Sequence, residues 1–198
     1  MILFFGGSFN PPHRGHKNII RHLLTIFPRD RIFITPNYRS PLKNVKDFLP
    51  DQVLRLCQLE FEEEIQHGAL IWEYELSKKE PSFTFDSLQF LKLQDPNGSI
   101  GLVIGEDSIE TFSDWYRYLD VLALVDLVVI FRRNTIKGNE LSIPEYFPIE
   151  KLKVLENELW KFTSSDLRIH RNKTLFSSCL EDKTLAYLDD IGYFNESN

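Results

Sequence analysis

Cysteine, positive charge and long apolar runs are all scarce in this chain, and each shortage removes a class of function. The 198 residues include two cysteines, Cys57 and Cys179. They lack metal-ligand spacing, nothing calls for a disulfide between them, and both read as free thiols. Lysine and arginine number 23 against 29 aspartates and glutamates, a formal net charge of −6. The chain therefore lacks the basic field that general affinity for nucleic acid or an anionic membrane requires. No partner of either kind is expected, and an anionic ligand must be held by local positive charge. No apolar run approaches the length that spans a bilayer, and no basic-then-apolar leader precedes the first apolar segment, so a cytoplasmic location is expected. The glycines number nine and nowhere form the G-x-G-x-x-G fingerprint of dinucleotide-binding turns. No Ser-His-Asp or Cys-His arrangement is evident, and no repeat or low-complexity segment occurs.

What is present is a chain with 42% hydrophobic and 26% charged residues, long enough for one well-filled core and short for two. A single domain over 1–198 is expected. The most informative stretch is GGSFNPPHRGH, residues 6–16. It follows a short apolar run (MILFF, 1–5) and precedes Ile19, Ile20, Leu23, Leu24 and Phe27 at helical spacing, so it is a strand-to-helix turn. The unpaired N–H groups and positive dipole end of a helix start favour an anion, and glycines let a phosphate approach the main chain closely. Two imidazoles beside such an anion can donate hydrogen bonds to it. The plainer reading of the stretch alone is a Gly/Pro turn with two exposed histidines.

Strand-like and helix-like segments then alternate. Residues 31–35 (RIFIT) read as a strand, and 51–63 as a helix with Val53, Leu56, Cys57 and Phe61 on one face. Residues 69–76 (ALIWEYEL) alternate Leu70, Trp72, Tyr74 and Leu76, which predicts a strand with one buried face. A helix is expected over 84–94, and strands over 100–104 and 126–131, the last a continuous apolar run of the parallel-sheet kind. Residues 134–146, polar with Gly138 and Pro144, read as a surface loop. The order is that of an α/β protein with right-handed crossovers.

The H-x-G-H element of His13 to His16, within the whole eleven-residue segment, resembles the signature of the nucleotidyltransferase superfamily related to class I aminoacyl-tRNA synthetases. Within it the segment looks most like the bacterial nicotinate-nucleotide adenylyltransferases, whose usual form is close to GG-[TS]-F-[DN]-P-x-H-x-G-H. The resemblance implies a Rossmann-like nucleotidyltransferase fold, a central mostly parallel sheet flanked by helices, with a small C-terminal helical part at about 163–194. It also implies that Gly6, Gly7, Ser8 and Phe9 line an ATP site, with His13 and His16 on the α- and β-phosphates.

Further segments follow in the family's order. Gly105-Glu106-Asp107-Ser108 is similar to the family's G-x-D-S element, which puts Gly105 and Asp107 at the ATP ribose; alone it is a common turn and helix cap. Trp115-Tyr116 resembles the family's W-Y pair, whose tryptophan packs on a pyridine ring; alone, Trp115 is as readily a core anchor. Pro81-Ser82-Phe83-Thr84 resembles P-S-[YF]-T, which gives Thr84 a part in binding the nicotinate carboxylate, beside its reading as a helix N-cap. Residues 163–168 (TSSDLR) look like I-S-S-T-x-I-R. Independently of the name, Ser164 and Ser165 at a helix start with Arg168 one turn later can form a second phosphate cradle; alone, the segment reads more simply as a capped helix with a solvated Arg. Asp166 brings a negative charge there, so its side chain is expected to point away or cap the helix. Residues 183–194 (KTLAYLDDIGYF) resemble the closing helix, docked by Leu185, Leu188 and Ile191.

In the loop PNYRSPLK (36–43), Leu42 stands where the family has histidine, which leaves the mononucleotide phosphate to Lys43 with Arg39 as helper. Arg132 is the other candidate for that phosphate, while Arg133 reads as a solvated strand end. The resemblance thus implies adenylyl transfer from ATP to nicotinate mononucleotide in NAD biosynthesis, with His16, His13 and Arg168 as the catalytic set. Mg²⁺ is expected to arrive with ATP, held by substrate oxygens and water, with no dedicated protein metal site. Two rivals stand beside this: a sister adenylyltransferase for nicotinamide mononucleotide or pantetheine phosphate, and a nucleotide-binding module without turnover.

Overall fold

In the computed structural model, which describes residues 1–39, 47–132 and 141–195, six parallel strands form one sheet in the order β3-β2-β1-β4-β5-β6. The strands are β1 (Ile2–Gly7), β2 (Arg31–Pro36), β3 (Leu70–Ile71), β4 (Ile100–Gly105), β5 (Leu127–Phe131) and β6 (Leu152–Val154). The helices are α1 (Arg14–Ile26), α2 (Pro50–Glu60), α3 (Glu62–Gln66), α4 (Tyr74–Ser77), α5 (Thr84–Gln94), α6 (Tyr118–Leu124), α7 (Ser164–His170), α8 (Lys173–Cys179) and α9 (Asp182–Asp190).

Period-two alternation along the strands builds two cores. Leu3, Phe5, Ile32, Ile34, Val103 and Val129 face one side with residues of α1, α2, α8 and α9, while Phe4, Phe33, Leu102, Ile104, Val128 and Ile130 face the other with α5 and α6. Both sheet faces are covered, which is why these strands read as continuous apolar runs. The strand order reverses between β1 and β4, so the chain leaves their carboxyl ends in opposite directions and opens a crevice there. This is the Rossmann-like parallel sheet flanked by helices that was expected, with α7, α8 and α9 at the carboxyl end.

Two local expectations are corrected. The strand predicted over 69–76 is only Leu70–Ile71, Leu70 is exposed rather than buried, and the chain turns into α4 at Tyr74. β3 is an edge strand, and Trp72 and Tyr74 leave it to stack on one another, with Tyr74 stacking in turn on Phe90 of α5. The short strand β6 and the helix α8 lie in stretches with no apolar period long enough to announce them. The closing helix stops at Asp190, where Gly192 adopts φ 74° and the Tyr193 N–H reaches back to the Leu188 carbonyl at 3.0 Å. Cys57 and Cys179 are buried free thiols. Of the predicted loop 134–146, residues 134–140 lie outside the described residues, as do Leu42, Lys43 and Arg133. Among the described residues no helix is long and apolar enough to cross a membrane.

Candidate active site

At the sheet reversal lies a cleft of about 810 Å³. Its floor is the carboxyl end of β1, Gly6 and Gly7, continued through Ser8 and Phe9. Phe9 adopts φ 42°, in the left-handed region that a bulky side chain avoids, and is held there by complete burial. Its ring meets the His16 ring edge-on, with centroids 5.0 Å apart, so the strained residue backs a candidate catalytic one.

His13 and His16 open α1 as a reciprocal cap. His13 Nδ1 accepts the Gly15 N–H at 3.1 Å, and His16 Nδ1 accepts the His13 N–H at 3.3 Å. Histidines here do what Ser/Thr with Glu/Gln do in the common capping box. The consequence is chemical: a ring nitrogen that accepts a backbone N–H carries no proton, so each neutral imidazole carries its proton on Nε2. The rings lie 3.9 Å apart by centroid, and both line the cleft at the positive end of α1. Gly15 between them is required by packing, because a Cβ there would lie 2.7 Å from the Trp160 indole and 2.8 Å from His13 Cε1.

Beside this turn stands α7. Thr163 caps it, accepting the Asp166 N–H at 3.1 Å, and Asp166 Oδ2 accepts the Thr163 N–H and hydroxyl at 2.7 Å each. Asp166 therefore caps the helix, as its charge demanded. Ser164 Oγ donates to the Pro11 carbonyl at 2.9 Å, and Arg168 donates to the Asn10 carbonyl at 2.5 Å and to Ser165 Oγ at 3.0 Å. These bonds lock α7 onto the turn that precedes α1, across more than 150 residues of sequence.

The far end of the cleft carries Gly105 and Asp107 after β4, then Thr84, Trp115, Tyr116 and Arg132. Trp115 stacks on Phe112 with centroids 4.8 Å apart, so the indole is both core anchor and cleft wall. Tyr116 pairs with Phe83 at 4.7 Å. Thr84 is corrected as an N-cap: the cap is Phe83, whose extended backbone (φ −101°, ψ 142°) suits that place, and Thr84 is the first helical residue. Arg132 donates from Nε to Glu106 Oε2 at 2.5 Å.

The structure thus brings to one cleft every site residue expected from sequence except Lys43, which lies outside the described residues. Sequence reasoning passed over Glu75, Asn157 and Trp160, which also line it. Glu75 is buried and accepts the Ser87 hydroxyl at 2.6 Å. No periodicity or motif marks the segment carrying Asn157 and Trp160. Among the described residues no group of three His, Cys, Asp or Glu side chains could hold a metal ion.

The profile of the Cytidylyltransferase-like family matches residues 4–171. The chain is 33% identical over 186 residues to a probable nicotinate-nucleotide adenylyltransferase of Leptospira interrogans, covering 93% of this chain and 92% of that one. It is 31% identical over 182 residues to a protein of the same description from Helicobacter hepaticus, covering 85% and 84%. Its fold matches a Plasmodium falciparum nicotinic acid mononucleotide adenylyltransferase complexed with NaAD, with a TM-score of 0.80, 17% identity and coverage of 99% and 98%.

Proposed function

Since the chain belongs to the Cytidylyltransferase-like family, and within it to the nicotinate-nucleotide adenylyltransferases, we propose that it transfers the adenylyl group of ATP to nicotinate mononucleotide, releasing nicotinate adenine dinucleotide and pyrophosphate. It does so as one domain over 1–198, in the cytoplasm, on small-molecule substrates and without a nucleic-acid partner. The observation that carries the reading is the pair of histidines at the start of α1 whose Nδ1 atoms accept backbone N–H groups, which leaves Nε2–H as the donor of each neutral ring beside the cleft.

The acceptor is already an anion at neutral pH, so no general base is needed to make its phosphate oxygen nucleophilic. What remains is to hold the acceptor oxygen, the α-phosphorus and the departing pyrophosphate in line, and to stabilise the charge that builds on them. His13 and His16 donate to the α- and β-phosphate oxygens, while Ser164, Ser165 and Arg168 hold the β- and γ-phosphates. Gly6, Gly7, Ser8 and Phe9 form the floor beneath the triphosphate, and Asp107 with Gly105 takes the ribose. Thr84, Trp115 and Tyr116 receive the nicotinate ring and its carboxylate, and Arg132 and Lys43 receive the mononucleotide phosphate. Mg²⁺ would enter on the triphosphate, held by substrate oxygens and water. When bound there, the ion neutralises phosphate charge.

Purified protein with Mg-ATP and either nicotinate or nicotinamide mononucleotide tests the reading through release of pyrophosphate and dinucleotide. Faster product formation with the nicotinate acceptor is expected. ATP binding without product from either acceptor overturns it.

A further inference from the structure

Arg132 is the first residue beyond β5, and hydrogen bonds to Asn157 and Glu106 hold it. Its N–H donates to Asn157 Oδ1 at 2.8 Å, its carbonyl accepts from Asn157 Nδ2 at 3.0 Å, and its Nε donates to Glu106 Oε2 at 2.5 Å. The strand register explains the last contact. Gly105 of β4 pairs with Phe131 of β5, so Glu106 and Arg132 are the next residues along two adjacent strand ends. The pair is partly withdrawn from solvent, with side chains 11% and 30% exposed. A carboxylate bound at Nε, on one edge of a planar guanidinium, fixes the orientation of that plane. Holding an arginine at a surface strand end costs rotamer freedom and returns little stability. Asn157 grips both backbone groups of the same residue, and Arg132 and Asn157 both line the cleft.

We infer that Glu106 and Asn157 are positioning residues for the acceptor half of the site, setting the Arg132 guanidinium before the mononucleotide arrives so that its phosphate meets an arginine already ordered. The inference rests on Arg132 as a ligand of the acceptor phosphate. It gives Glu106 a task separate from that of its neighbour Asp107, and it gives Asn157, which no motif marks, a reason to turn back onto β5. Preorganisation of this kind appears in affinity, because the ordering cost is met before binding.

The sign of the effect is diagnostic. If Glu106 acted only as a competing negative charge, removing it would tighten binding of a phosphate. If it positions Arg132, removing it weakens that binding. Calorimetric titration of nicotinate mononucleotide into wild type, E106Q, R132A and E106Q/R132A closes a double-mutant cycle. Expected are a weakening on the order of fivefold in E106Q, a smaller one in E106D, and no further loss from E106Q once Arg132 is alanine. N157A shifts affinity in the same direction, and the KM for ATP holds in every single variant at Glu106 and Asn157. Tighter binding in E106Q, an undiminished loss in the R132A background, or an equal loss for ATP overturns the inference. Wild-type protein that binds the mononucleotide without turnover refutes the reaction alone and leaves the cycle readable. Wild-type protein that binds none refutes the acceptor site and the inference together.

Discussion

His13 and His16, the proposed catalytic pair, show how much of a side chain's chemistry is set by what its other atoms are doing. Each Nδ1 accepts a backbone N–H of the α1 start, so the donor left to each neutral ring is Nε2–H, and ring orientation is fixed by the same bond. His16→Ala therefore removes a transition-state donor and a cap acceptor at once. Turnover is expected to fall on the order of 10²-fold or more, by comparison with loss of a single oxyanion donor. Steady-state kinetics of the variant with saturating Mg-ATP checks this, and near-normal kcat rejects the role. The spacing of the two histidines was legible in the sequence, because both lie within one short turn. The strained backbone of Phe9 was not, since φ 42° is imposed by burial against rings from other elements.

Among the elements, α7 is the one that carries the serines and the arginine proposed for the triphosphate half. It has seven residues, too few to be stable from propensity alone, and depends on its cap and its bonds to the 10–11 carbonyls. Thr163→Ala removes the hydroxyl that accepts the Asp166 N–H and donates to the Asp166 carboxylate. About 1 kcal/mol of stability should be lost in urea unfolding. The KM for ATP should rise several-fold, with that for the mononucleotide little changed; equal effects on both substrates would place α7 outside the ATP half. The hydroxyl pair and the arginine one turn on were readable as a cradle from local spacing. β3, by contrast, is shorter than its alternation predicts, because alternation marks a strand wherever it occurs, and here Trp72 stacks on Tyr74 and Tyr74 on Phe90 as the chain turns into α4.

Over the whole molecule, α1 is tied to the C-terminal helices by a network of buried charge. Lys17, one residue after His16, is buried and lies 3.1 Å from Glu181, which precedes α9. Glu60, fully buried at the end of α2, accepts the Glu181 N–H at 3.0 Å, and burial pushes its carboxyl up to about 7. A carboxyl raised in the folded state binds its proton more tightly there than when unfolded. Stability from this group is thus greatest at low pH and declines as pH rises from about 4.5 to about 7. Glu60→Gln should raise the melting temperature at pH 8, by a free energy on the order of 1–3 kcal/mol, and the gain should shrink toward pH 5. A gain that is constant with pH would place the effect in packing and not in ionisation.

The amino-acid sequence by itself determined the α/β class, the strand-to-helix turn at residues 6–16, and most of the chemistry-bearing side chains. Those signals are local: a period, a cap, a motif within a dozen residues. Only the tertiary structure decided that the 6–16 turn, the 163–168 cradle and the 105–116 segment share one cleft, because that follows from the sheet reversing between β1 and β4. It also decided the roles open to Glu106, Asn157 and Trp160. Glu106 meets Arg132 through strand register, and Asn157 and Trp160 meet β5 and Gly15 through a turn of chain with no pattern of its own. Contacts between residues far apart in sequence leave no period to read, since each partner is chosen by a position in space that only the packed sheet supplies.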